Sequence, residues 1–577
     1  VHRACSILAA AALLATPCVG GAQQAPAPMS DAMFPDVVRQ SLYVPVRDGT
    51  RIAMNIYRPA TGTKPVAGKH PVVFAFTPYR ARFKDAGGKV QEVALGDSLA
   101  LRSLIRAGYV VAVADIRGKG ASFGARRGFQ DRTEANDGHD LVEWLARQPF
   151  SSKQVGMIGC SYLGGSTMHT ASTVPPSLKA IFVGATELDK FAFVANGGIT
   201  AQFNTRPDEE PAVDLASLPV DKDRGGALLR EAVAQHAANT PMAPLWASMP
   251  YRDSVSPLTG NAFWREAAIY PYFQAIRASG MATYFWGNWH DEPTGHMVLT
   301  ALNLNGRFLA GPGDHCATPP GFDFTGEVVR YFDRYLKGID NGLDRQLRAT
   351  YWVDAPGGGR YVRSSNLPGT TSRPMPMFLS GGSGQRGTLG TGPERQGSDG
   401  FTVDYDLPPA DYFAFWPGDM SAHGLGYTST PLAQPMTLLG FPVARLTVAA
   451  NHPNADLFVY LDEIAPDGTA KVIAFGRQRL SYRKLSQAPY DTLNLPWHSG
   501  KSDDVLPLAA GQEVPVSIAM TPVSRVIGAG SRLRLTIAGA DPRQRNLKQI
   551  RIDPAPRIAI RTGGIDASRV ELPILEQ

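Results

Sequence analysis

The sequence predicts an α/β protein built on a doubly wound, mostly parallel sheet. Three observations carry this. Apolar runs of strand length recur at 71–76, 109–114, 155–158, 178–183, 282–286 and 307–310. Helical stretches lie between several of them, for example 137–147 with its Leu141, Trp144 and Leu145 face. From about Leu347 that alternation gives way to short alternating strands with no helices between them, which marks a separate antiparallel β domain. In a doubly wound sheet ligands bind at the carboxyl ends of the strands, so the residues just past each run are the ones to weigh.

With 577 residues, 44% of them hydrophobic, the chain can bury a large core and divides into two to four domains. A net charge of +6 is mild at this length, and the basic residues are scattered, which leaves nucleic-acid binding without support. The first residues read as a secretory signal over 1–22: Arg3 is a short basic region, 7–15 an apolar core, and Gly20, Gly21 and Ala22 offer small residues for cleavage. No later stretch holds about 18 uninterrupted apolar residues, so no membrane span is expected and the mature protein reads as periplasmic or secreted. Of four cysteines, Cys5 and Cys18 would leave with the signal, and Cys160 and Cys316 would remain.

Residues 23–40 read as a polar linker. Residues 41–57 alternate around Arg47-Asp48-Gly49, the pattern of a β-hairpin. After the first apolar run comes Thr77-Pro78-Tyr79-Arg80, and after the second comes Asp115-Ile116-Arg117-Gly118-Lys119-Gly120. The latter lacks the third glycine of a dinucleotide loop and the Gly-Lys-Ser/Thr ending of a phosphate loop, so it reads as a structural turn. After the third run the chain reads Gly159-Cys160-Ser161-Tyr162-Leu163-Gly164, a strand reversing tightly into a helix with serine at the tip. The pattern is G-x-S-x-x-G rather than strict G-x-S-x-G, and alone it describes a turn as well as a nucleophile. Asp291 and His315 follow later runs, in Asn288-Trp289-His290-Asp291 and Gly311-Pro312-Gly313-Asp314-His315. Ser161, Asp291, His315 is the chain order of the α/β-hydrolase triad. Asp314 is a rival acid, but neighbouring side chains point apart; His290 and His296 read as loop residues. No His/Cys cluster suggests a metal, and no cofactor is expected.

Gly159-Cys-Ser-Tyr-Leu-Gly164, Pro78-Tyr79, Asp115-x-Arg-Gly118 and Gly311-Pro-x-x-His315 together resemble the cocaine-esterase and α-amino-acid-ester-hydrolase group of the X-Pro dipeptidyl-peptidase (S15) superfamily. The resemblance covers nearly all of the mature chain. It implies an α/β-hydrolase domain over 41–186 and 281–346, a helical cap inserted at 187–280, and a C-terminal jelly-roll domain over 347–577 that covers them. It implies a serine acyl hydrolase with Ser161 as nucleophile, His315 as base and Asp291 as its orienting acid. The Tyr162 backbone N–H and the Tyr79 hydroxyl would hold the oxyanion. In the cap, Phe191, Phe193, Phe203, Trp246, Phe263 and Trp264 read either as core or as an acyl pocket, with Trp289 a further pocket candidate.

Two departures narrow the substrate. Glu292, Pro293 and Thr294 follow the triad aspartate where α-amino-acid ester hydrolases carry acids for the substrate ammonium. Peptidases of the superfamily need an acidic site for a free amino terminus, for which only Asp189 and Asp208-Glu209-Glu210 offer substitutes. The expected partner is a small-molecule ester or amide, with X-Pro peptidase or α-amino ester hydrolase/β-lactam acylase activity as alternatives; assembly into a homo-oligomer stays open. A silent carbohydrate- or partner-binding protein of the same shape is the reading from another class. Cys160 and Cys316 flank the nucleophile and base, an arrangement similar to that of tannases and feruloyl esterases. A disulfide pinning the two loops is the expectation, against two buried thiols.

Overall fold

The computed structural model describes residues 29–200, 208–381, 386–408, 410, 414–544 and 547–576. The signal-like segment and Phe203 lie outside the described residues. The first sheet has 11 strands. Ten are labelled here: β1 (Asp36–Pro45), β2 (Arg51–Thr61), β3 (His70–Thr77), β4 (Val110–Asp115), β5 (Ser151–Cys160), β6 (Leu178–Gly184), β7 (Ala282–Asn288), β8 (Arg307–Gly311), β9 (Ala349–Val353) and β10 (Arg360–Ser364). They lie in the order 1-2-4-3-5-6-7-8-9-10, with a two-residue strand beside β2. From β4 across to β9 every pairing is parallel, and antiparallel pairs close both edges.

The two sides of the sheet follow the period of two along each strand. Val73, Val111, Ile158, Phe182, Trp286 and Leu309 face one core with helices α1 (Leu101–Arg106) and Phe324–Leu336. Phe74, Ala112, Met157, Val183, Phe285 and Phe308 face the other, against α2 (Arg132–Ala146), α3 (Tyr162–Ala171) and Thr294–Leu304. Helix α2 starts where the Asp131 carboxylate accepts the backbone N–H groups of Thr133 and Glu134, a side-chain cap for otherwise unpaired donors. Register brings the strand ends level: Thr77 pairs Asp115, Cys160 pairs Gly184, and Asn288 pairs Gly311. The loops that follow therefore open on one edge of the sheet.

Between β6 and β7 the cap is a set of short helices, including α4 (Lys190–Val194), α5 (Ala227–Gln235), α6 (Met242–Ala247), α7 (Phe263–Glu266) and α8 (Phe273–Ala278). From Arg373 onward the chain forms a 13-stranded β assembly, antiparallel except where Arg386–Gly390 runs parallel to Gly424–Ser429. No helix among the described residues is long and apolar enough to cross a membrane.

Three expectations need correction. Strand β1 begins at Asp36, inside the span read as linker. Strands β9 and β10 belong to the first sheet, so the catalytic half runs to Ser364 rather than 346; an antiparallel edge hairpin carries the same alternation as a β domain. The Gly/Ser-rich span 380–400, read as a loop, contains strands at Arg386–Gly390 and Gly397–Thr402, because ladder bonds to neighbouring strands override weak local propensity.

Helices α2 and α3 cross tightly at Gly138, where a Cβ would stand 2.0 Å from Thr170 Oγ1. Gly138→Ala is expected to cost about 1–3 kcal/mol by overpacking, read as a lower urea midpoint with the fold retained.

Candidate active site

Ser161 sits between β5 and α3 with φ 58° and ψ −128°, a conformation that L-residues rarely hold. The turn closes because its neighbours lack side chains. A Cβ on Gly159 would lie 2.2 Å from the Leu163 carbonyl, and one on Gly164 would lie 2.5 Å from the Gly184 oxygen. The second glycine is thus displaced by one position because the close approach is to strand β6. Ser161 N–H donates to the Gly184 carbonyl at 3.1 Å, fixing the turn to the sheet. Tyr162 opens α3, so its N–H belongs to the first turn, where the helix offers no acceptor.

His315 follows β8, and Asp291 follows β7. Both Asp291 oxygens lie against His315 Nδ1, at 3.0 and 2.9 Å, and Asp291 is buried. An ionised carboxylate only accepts, so Nδ1 carries the proton and Nε2 keeps its lone pair. Burial pulls the His315 imidazolium down, but the charge and hydrogen bond of Asp291 outweigh it, and its pKa is raised above the ordinary histidine value. Burial pushes the Asp291 carboxyl up, opposed by His315. Asp314 is the exposed neighbour, 4.0 Å from His290 Nδ1. His296 lies in helix Thr294–Leu304 rather than in a loop, with Nδ1 accepting the Leu188 N–H at 3.3 Å.

Cys160 and Cys316 are joined by a disulfide, with their Cα atoms 5.9 Å apart. It ties the residue before Ser161 to the residue after His315. Ser161 and His315 line one cavity of about 520 Å³, together with Tyr79, Tyr162, Cys160 and Cys316. Tyr79 and Tyr162 meet edge to face at 6.4 Å. The Tyr79 loop is braced from below: Tyr79 N–H donates to Thr77 Oγ1 at 3.0 Å, and Ala81 N–H to Asp115 at 2.6 Å. Asp115 also accepts the Ala121 N–H at 2.9 Å, so this buried carboxylate joins the loops after β3 and β4. Burial pushes its carboxyl up to about 7. The Gly118-Lys119-Gly120 segment is the turn over Asp115, and a Cβ on Gly120 would strike that carboxylate at 2.3 Å.

The cavity walls are mainly apolar, with Leu99, Phe129, Phe193, Met242 and Trp246 among them. Of the expected pocket residues among the described ones, Trp246 and Phe193 are there. Phe191 is buried in the cap core, where it meets Trp264 edge-on at 5.6 Å, whereas Phe193 packs against the edge of that core and also lines the cavity. Trp264 donates to the Met249 carbonyl, and Phe263 lies buried beside it in the same core. Trp289 is anchored away from the cavity by its indole N–H, 2.7 Å from the Trp352 oxygen.

Other lining residues carry no motif. Glu187 and Glu292 reach the cavity, each backed by a basic side chain: buried Lys190 contacts Glu187, and Arg477 donates to Glu292 at 2.8 Å. Gln130, also in the wall, accepts from Lys190 at 2.6 Å and donates to the Tyr162 carbonyl at 2.9 Å. Phe415 of the β domain stacks on the His315 ring at 4.6 Å. Glu187 follows a strand end and was open to the rule about strand ends; Arg477 and Phe415 are distant in sequence and gave no signal. Asp189 is held by Arg252 Nη1 at 2.7 Å from both its oxygens. Asp208 and Glu209 pair with Arg126 and Lys119 in a second compartment of about 270 Å³ behind Tyr79, which Glu210 also lines.

Two family models match the chain in succession, the X-Pro dipeptidyl-peptidase (S15 family) over 48–317 and the X-Pro dipeptidyl-peptidase C-terminal non-catalytic domain over 341–549. The chain belongs to the S15 family. Over 93% of its length this S15 chain is 27% identical to a Mycobacterium tuberculosis protein named as a serine esterase, of which 95% is covered. It is 26% identical to the cocaine esterase of a Rhodococcus species over 87% of the chain and 91% of that protein. A CocE/NonD family hydrolase from Staphylococcus aureus shares its fold, with a TM-score of 0.73, 19% identity and 94% of each chain covered. The S15 chain is an esterase-type hydrolase with an α/β-hydrolase sheet and a C-terminal antiparallel β domain.

The disulfide closes 156 residues of chain, worth about 5 kcal/mol at most in the chain-entropy model. Cys316→Ser is expected to lower the thermal midpoint. Reductant should lower the wild-type midpoint in the same way and leave a Cys160→Ser/Cys316→Ser variant unmoved.

Proposed function

We propose that the protein hydrolyses carboxylic esters of uncharged acyl groups through a serine acyl-enzyme. The observation that carries this is the buried Asp291–His315 pair opening onto the cavity that also holds Ser161 at its strained turn. In this reading Ser161 Oγ attacks the acyl carbon while His315 Nε2 takes its proton. The tetrahedral oxygen is held by the Tyr162 N–H and the Tyr79 hydroxyl, and the protonated His315 then supplies the leaving alkoxide with its proton. Water repeats the sequence on the acyl-enzyme. Asp291 keeps the imidazole in the required tautomer and stabilises the imidazolium. The mainly apolar walls favour an apolar acyl group, and the pairing of Glu187 and Glu292 with basic side chains argues against a free amino terminus as the recognised group. Peptide and amide substrates are therefore secondary, although the family takes its name from a peptidase. The same reading expects an exported enzyme, since a structural disulfide persists in oxidising compartments.

A fluorophosphonate probe is expected to label Ser161 in folded protein; a silent binding protein would stay unlabelled. Ser161→Ala should abolish labelling and lower turnover of a simple acyl ester about 10⁴-fold or more. His315 must be neutral to act as base, and Asp291 raises its pKa, so kcat/KM should fall as pH drops through a value above about 6.5. Asp291→Asn removes the charge that raises it, so this acid limb should move down while turnover falls about 10⁴-fold, as in other serine triads.

A further inference from the structure

Helix α4 begins three residues after Glu187, and its first residue places an amino group where water does not reach. Lys190 is 0% exposed. Its Nζ donates to Gln130 Oε1 at 2.6 Å, contacts Glu187 Oε1, and lies 4.4 Å from the centre of the Phe129 ring. Glu187, Gln130 and Phe129 line the cavity that holds Ser161, while Lys190 stands behind them. A fully buried lysine is rare and costly unless paired, so its place calls for a reason.

Wherever the shared proton rests, on nitrogen or on carboxylate, the Glu187–Lys190 pair carries no net charge. Glu292, the other carboxylate in the wall, is neutralised in the same way by buried Arg477. A substrate ammonium entering this cavity would lose its hydration and meet carboxyl groups whose charge is already balanced by the basic side chain behind each. An uncharged acyl group loses nothing comparable. With Lys190 gone, Glu187 would face the cavity as an unpaired carboxylate, in the loop that starts beside the nucleophile at Gly184.

We infer that Lys190 is a specificity-determining residue that closes the acyl pocket to substrates with a free α-amino group by neutralising Glu187. This rests on the serine-hydrolase reading and adds the charge class of the acyl group to it.

The test compares two p-nitrophenyl esters matched in shape, one of an L-α-amino acid and one of its deamino counterpart, at pH 6.5, where the amino group is protonated. Wild-type turnover of the deamino ester reports on the hydrolase reading; the ratio of kcat/KM, amino over deamino, reports on Lys190. The wild type should favour the deamino ester. Lys190→Met should raise the ratio at least about tenfold, and Glu187→Gln/Lys190→Met should bring it back to the wild-type value. Glu187→Gln alone, which leaves Lys190 unpaired, should lower the ratio, and it decides the matter if Lys190→Met yields no probe-reactive protein. A wild type that prefers the amino ester would overturn the inference. So would an equal loss for both esters in Lys190→Met, an elevated ratio that persists in the double variant, or an unchanged ratio in Glu187→Gln.

Discussion

The site depends on how sharply the chain reverses at Ser161. A strand buried on both faces must end, present one hydroxyl, and start a helix within two residues, and only missing side chains at Gly159 and Gly164 allow it. Backbone crowding of this kind has one solution, so the direction of α3, the Tyr162 N–H and the cavity floor all follow. Gly165 extends the constraint, since a Cβ there would stand 1.9 Å from the Gln130 amide that braces the same turn. Gln130 does this with its amide oxygen accepting from Lys190, which leaves the amide nitrogen to donate to the Tyr162 carbonyl.

Much of this was legible in the residues. Parallel strands buried on both faces read as continuous apolar runs, and the six runs named at the outset are β3 to β8 with ends shifted by a few residues. Asp291 and His315 could be singled out because loops past the strand ends gather on one edge of such sheets, and the two side chains meet there. Cys160 and Cys316 could be paired because they adjoin those residues. The cap resisted. Phe191 and Phe193 are the same residue type two positions apart, yet one is wholly inside the cap core and the other sits at its edge, where it reaches the cavity. Trp289 stands two residues before Asp291 yet turns away because its indole finds the Trp352 carbonyl. Lys190 and Glu187 look like surface residues in a string of letters, since burial of a charge is written in tertiary structure and not in local pattern.

The C-terminal domain is more than a cover. Its Arg477 balances the carboxylate next to Asp291, its Phe415 lies on the His315 ring, and its Ser524 hydroxyl shares the Trp352 carbonyl with the indole of Trp289. Asp354, just beyond β9, pairs with Arg525 of the same domain. A cut near residue 347 would remove β9 and β10 from the first sheet, and a cut after Ser364 would take Phe415 out of the cavity lining.

That shared wall bears on how such enzymes diversify. Phe415 and Arg477 sit on a domain that holds none of Ser161, Asp291 and His315, so drift there can alter the pocket while those three stay untouched. A lineage can change what it accepts by exchanging or remodelling its second domain. Comparing catalytic domains alone would then group together chains that recognise different molecules.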